Sequence, residues 1–141
     1  MSRTTTKSPL APDRDRGAAA VEFALVMPIL LLFVLGIIDF GRLWFTQISL
    51  SQAAREGARQ EALGSGYVYS RTVGAAPGLT GLVVYINGTV YSANPATPVA
   101  CPAGSDATVR VVNPNFTFTL GALIGIGSKT LAASGVMPCG G

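Results

Sequence analysis

Residues 16–38 read RGAAAVEFALVMPILLLFVLGII, and this stretch decides the fold. Between Ala18 and Ile38 the only ionisable side chain is Glu22. A helix rising about 1.5 Å per residue covers, over that length, roughly the 30 Å hydrocarbon thickness of a bilayer. Residues 18–38 therefore read as a transmembrane helix. Glu22 is its informative residue, because a carboxylate in lipid costs about 2.5 kcal/mol or more and is retained where a partner or a function uses it. The plainer explanation is a position about one turn inside the membrane edge, within reach of the headgroups.

Composition limits what surrounds this helix. The chain has 141 residues, 49% of them hydrophobic and 12% charged, with no histidine, which fits a membrane protein carrying at most one small domain. A net charge of +3, spread without a basic face or run beyond the first residues, argues against nucleic acid as a partner. Without histidine no Ser/His/Asp or Cys/His arrangement exists, and Asp39, Glu56, Glu61 and Asp106 form no obvious acid pair. Two cysteines without histidine are too few for a zinc site. GALIGIGSKT, residues 121–130, lacks the adjacent Gly-Lys of a phosphate loop and reads as an apolar turn. The expectation is a non-enzyme, with no catalytic residue, metal, cofactor or small-molecule substrate.

Residues 1–17 hold Arg3, Lys7, Arg14 and Arg16 against Asp13 and Asp15, with Pro9 and Pro12, and cannot build a core. Four cations before the apolar run, and only Arg42 soon after it, place this leader in the cytoplasm and the C-terminal part outside. A secretory signal peptide has the same general form. The apolar run is too long for its h-region, however, and the far end, LGIIDFGRLWF, offers no small-x-small cleavage site.

Gly17 lies just before the run, Ala18, Ala19, Ala20 and Val21 follow, and Glu22 and Phe23 come next. This spacing resembles the prepilin peptidase site of Flp-type pilins, a glycine, four residues, then Glu and an aromatic, with cleavage between Gly17 and Ala18. Residues 16–59 as a whole resemble the TadE-like family of pilus assembly proteins of the tight-adherence (Tad) system. The resemblance implies a helix packed inside a filament, with Glu22 and Phe23 as assembly and recognition residues. The partners it implies are a prepilin peptidase, a major Flp-type pilin, other minor pseudopilins and the Tad secretion platform. Removing the leader would take four of ten cations and two of seven acids, leaving the mature chain nearly neutral.

Beyond the membrane, residues 39–63 contain no proline and are rich in helix formers, so the helix continues outside. Winding at 100° per residue gathers Arg42, Ser49, Gln52, Glu56, Arg59 and Gln60 on one side and Leu43, Trp44, Leu50, Ala54, Ala58 and Ala62 on the other. Ala54, Ala58 and Ala62 form a ridge of small residues on which the chain's own outer domain is expected to dock. Gly64 suits a left-handed helix cap. Pro28 and Gly36 weaken the membrane helix locally, and a kink is expected near Pro28.

From Tyr67 onward the composition turns to Gly, Thr, Val, Tyr and Pro, a β signature. Residues 82–86 and 89–91 flank Asn87-Gly88, the favoured pair for a two-residue hairpin turn. Residues 107–112 and 116–120 read as strands around an Asn113-Pro114-Asn115 turn, and 129–137 as a closing strand with Leu131, Ala133 and Met137 on one face. The fold expected is α+β: a leader (1–17), a transmembrane helix (18–38), its extracytoplasmic extension (39–66), and a small antiparallel β domain (67–141) packed on that extension. A domain of about 75 residues often needs a staple, and Cys101 and Cys139, both on the outer side, are the candidates for a disulfide.

Two functions follow. One is a minor pseudopilin in a bacterial cytoplasmic membrane, cut after Gly17 and taking part in pilus assembly. The other is an exported binding or adhesin module on an uncleaved anchor, for which an exposed cluster of Tyr67, Tyr69, Tyr85 and Tyr91 would speak.

Overall fold

A computed structural model describes residues 14–99, 101–125 and 127–140; most of the leader, residues 1–13, lies outside them. Helix α1, Arg14–Ala62, takes up 49 residues and remains helical through Pro28. Its N-terminal half is long and apolar enough to cross a membrane, and every side chain from residue 17 to 34 is exposed, as lipid contact requires. The helix ends in a Schellman motif: Gly64 has φ 64°, its N–H donates to the Glu61 carbonyl at 2.9 Å, and the Ser65 N–H donates to the Gln60 carbonyl at 2.9 Å.

A short helix α2, Val68–Gly74, precedes the hairpin of β1, Val83–Ile86, and β2, Thr89–Tyr91. Then come β3, Asp106–Phe116, helix α3, Thr119–Ile124, and β4, Lys129–Pro138. The four strands form one antiparallel sheet in the order β2-β1-β3-β4. Asn87 and Gly88, at φ 47° and 83°, turn the hairpin as the Asn-Gly pair demands. The architecture is α+β, a long apolar helix with a small antiparallel sheet packed on its C-terminal half.

The core forms where the sheet meets α1. Leu50, Ala53, Ala54 and Ala58 are buried against Val84, Ile86, Val109 and Val111, with Val68 of α2 and Ala76 closing the side. Small residues on the helix let the sheet approach closely. A Cβ at Gly135 of β4 would collide with the backbone of Ala54, and one at Gly57 would meet Thr72 and Val109. The Gln47 amide donates to the Ala132 carbonyl at 3.1 Å, so β4 runs beside α1 in the same direction, from residue 47 near 132 to residue 54 near 135. β3 runs the opposite way, which puts the β3–β4 connection at the end of the domain nearest the apolar half of α1.

Several expectations need correction. Residues 68–74 are helical rather than extended, because Val68 and Thr72 bury themselves against α1 and this packing overrides β propensity. β3 is one strand, not two: Asn113-Pro114-Asn115 is an irregularity in its pairing with β4, placed beyond Val112, where β1 no longer pairs and a missing N–H is tolerated. The strand stops at Phe116, and the expected turn over 121–130 begins as helix α3. The face of α1 is also rotated from the expected one. Ser49 is buried and Trp44 is 53% exposed, because Asp39, Thr46, Ser49 and Glu61 join the docking stripe, and Asp39, Thr46 and Glu61 find polar partners there or in the helix itself.

Candidate functional site

The residues expected to carry processing and assembly share the first turns of α1. Gly17, Ala18, Glu22 and Phe23 are all exposed and none contributes to the sheet domain's core. Gly17 lies in helical backbone, and a Cβ added there would meet nothing within 4 Å. A glycine costs roughly 0.5–1 kcal/mol relative to alanine inside a helix, so the fold gains nothing from this one. Packing explains Gly57 and Gly135, and it does not explain Gly17.

A second cluster, absent from the sequence reading, sits at the outer end of the apolar run. Asp39 is buried, and its two carboxylate oxygens accept hydrogen bonds from the backbone N–H groups of Thr119 at 2.8 Å and Leu120 at 2.7 Å. These are orphan donors of the first turn of α3, so a side chain 80 residues earlier in the chain caps that helix. Arg42 donates to the Thr119 hydroxyl at 3.0 Å, lies 3.6 Å from Asp39 and stands 5.7 Å over the Phe116 ring. Burial raises the Asp39 carboxyl, but the amides of Leu120 and Thr119, the Thr119 hydroxyl and the Arg42 charge outweigh it and leave the group below its ordinary value. The sequence signal was an Asp-x-x-Arg pair just past the membrane run; nothing local pointed to Thr119.

At the other end of the docking stripe Glu61 is fully buried. The Asn87 side-chain amide donates to its Oε1 at 3.2 Å, while Oε2 has no partner. Burial therefore raises its carboxyl, only partly offset by the Asn87 bond. Asn87 also binds Thr108 of β3 through both its side-chain oxygen (2.9 Å) and its N–H (2.8 Å), so one turn residue ties α1, the hairpin and β3 together.

Cys101 and Cys139 are paired as a disulfide with Cα atoms 5.5 Å apart, joining the loop before β3 to the end of β4. The Cys139 N–H donates to the Ser105 carbonyl at 2.8 Å beside it. Of the four tyrosines, Tyr67 is 67% exposed, Tyr85 is half-buried, and Tyr69 and Tyr91 pack on the core. Among the described residues no group of three or more Asp, Glu or Cys is placed to hold a metal.

No curated protein and no solved structure matches the chain. The helix does have a match: residues 17–59, all within α1, match the family model described as TadE-like protein.

Proposed function

We propose that the protein is a minor pseudopilin of a Tad/Flp-type pilus, anchored by α1 in a bacterial cytoplasmic membrane with its sheet domain outside. A prepilin peptidase cuts between Gly17 and Ala18. The freed α-amine of Ala18, mostly cationic at neutral pH, is then neutralised by Glu22 of a neighbouring subunit, where low dielectric strengthens the pair and fixes the register between helices. Phe23 belongs to the same recognition surface. The neighbours are the major Flp-type pilin, other minor pseudopilins and the Tad secretion platform.

The observation that carries this reading is the family match, which begins at Gly17 and takes in Ala18, Glu22 and Phe23. Two further points support it. The domain docks on residues 39–61 of α1 and leaves the whole surface from 17 to 34 to lipid and neighbours. The tyrosines that an adhesin reading calls for are mostly folded into the sheet and its core. Glu22→Gln keeps shape and removes charge, and it provides the test. The variant is expected to insert and to retain a normally stable outer domain while failing to support pilus assembly. Cells carrying it that still make pili and adhere normally would contradict the mechanism.

A further inference from the structure

The β3–β4 connection ends the domain on its membrane side, and its chemistry is unusual for an exposed loop. From Val111 to Ser128 the chain has no ionisable side chain. Asp39, the first residue past the apolar run, holds the backbone of Thr119 and Leu120 at 2.8 and 2.7 Å. A groove between the two elements is lined by Gly36, Asp39, Phe40 and Leu43 on α1 and by Leu120 and Gly121 on α3. Phe116 lies beside Arg42, and Leu120 and Gly121 lie level with Gly36–Leu43, so the chain travels toward the apolar half of α1 as it enters α3. Ala122 on α3 is exposed. An apolar, uncharged helical turn is thus fixed at the depth where α1 leaves the hydrocarbon.

The surroundings at that level are those of a bilayer interface. Phe40, Trp44 and Phe45 are 61%, 53% and 58% exposed, and such amphipathic and aromatic residues concentrate at the headgroup boundary. Arg42, half exposed, and Lys129, exposed at the start of β4, supply cations beside the same turn. Cations near an anionic headgroup layer are attracted to it.

We infer that α3 and the residues flanking it, Phe118–Gly125, form a second membrane contact, seated in the outer-leaflet interface of the lipid bilayer beside the spanning helix. Asp39 then has a mechanical role. By capping α3 it fixes this turn to the anchor, so the sheet, already packed on α1, meets the membrane at a second point. A capped helix is also what lets the turn enter the interface, since uncapped amides there would cost several kcal/mol each.

This inference rests on α1 spanning the bilayer, and the test separates the two. The full chain is reconstituted in phosphatidylglycerol/phosphatidylcholine vesicles without reductant, leaving the native cysteines bridged. A single cysteine is introduced and labelled with an environment-sensitive fluorophore in Phe33→Cys, Ala122→Cys and Val136→Cys. The expected result is blue-shifted emission, quenching by nitroxide lipid and protection from aqueous iodide for the labels at positions 33 and 122. The label at 136, on the exposed face of β4, stays open to iodide. Iodide access at 122 with lipid quenching at 33 overturns the second contact while leaving the anchor intact. Loss of lipid quenching at both positions overturns the anchor as well. Protection at 122 without lipid quenching means cover by protein, and also overturns it.

Discussion

Glu61 and Asp39 show how the same side-chain chemistry takes opposite directions from its surroundings. Glu61 is buried with one oxygen unpartnered, and its carboxyl is raised above the ordinary 4.5. The folded state therefore holds its proton more tightly than the unfolded chain, and the contribution is fully present below about pH 4.5 and lost as pH rises through the raised value. Glu61→Gln removes that group, so unfolding of the full chain in detergent should lose this fall in stability over the range above pH 4.5; an unchanged profile would show that Glu61 is solvated. Asp39 is lowered below 3.8, so what it contributes is present above that value and disappears as pH falls. Asp39→Asn removes the charge and puts an NH2 donor in place of one of the two oxygens that accept from the Thr119 and Leu120 amides. Hydrogen exchange at Thr119 and Leu120 should accelerate while the sheet amides keep their protection. Equal protection in the variant would mean that α3 does not depend on the cap.

At the scale of elements, the outer half of α1 is a docking rail whose stability comes from close approach rather than from large side chains. Leu50 is its largest apolar contribution, and Leu50→Ala should cost about 2–5 kcal/mol in denaturant unfolding, through lost transfer energy and an unfilled cavity. Gly135→Val should also destabilise, since a side chain there meets the Ala54 backbone, which cannot move aside without shifting the helix. Much of this was legible in the sequence. The uncharged run, the Asn-Gly hairpin, the glycine cap and the small-residue ridge each follow from local chemistry. What was not legible depends on partners far along the chain. Helix α2 forms where Val68 and Thr72 find α1, and α3 forms where Asp39 finds two amides 80 and 81 residues later. Ser49 enters the interface because the sheet reaches further round the helix than hydropathy alone implies.

For the whole molecule, one covalent device closes the small domain. The Cys101–Cys139 bridge closes a separation of 38 residues, for which chain entropy corresponds to about 4 kcal/mol. Cys139→Ser should therefore lower stability by about 2–4 kcal/mol, and non-reducing mass spectrometry should find the two peptides cross-linked. Full alkylation of both thiols in the unreduced protein would refute the bridge. The central claim is that this domain travels on a pilin-like helix that a peptidase has trimmed, and its most direct test is the N-terminal sequence of the protein purified from membranes. The pseudopilin account predicts that the mature chain begins at Ala18 and that Gly17→Leu leaves the full-length form. Mature protein beginning at Met1 or Ser2 in the unaltered chain would contradict it.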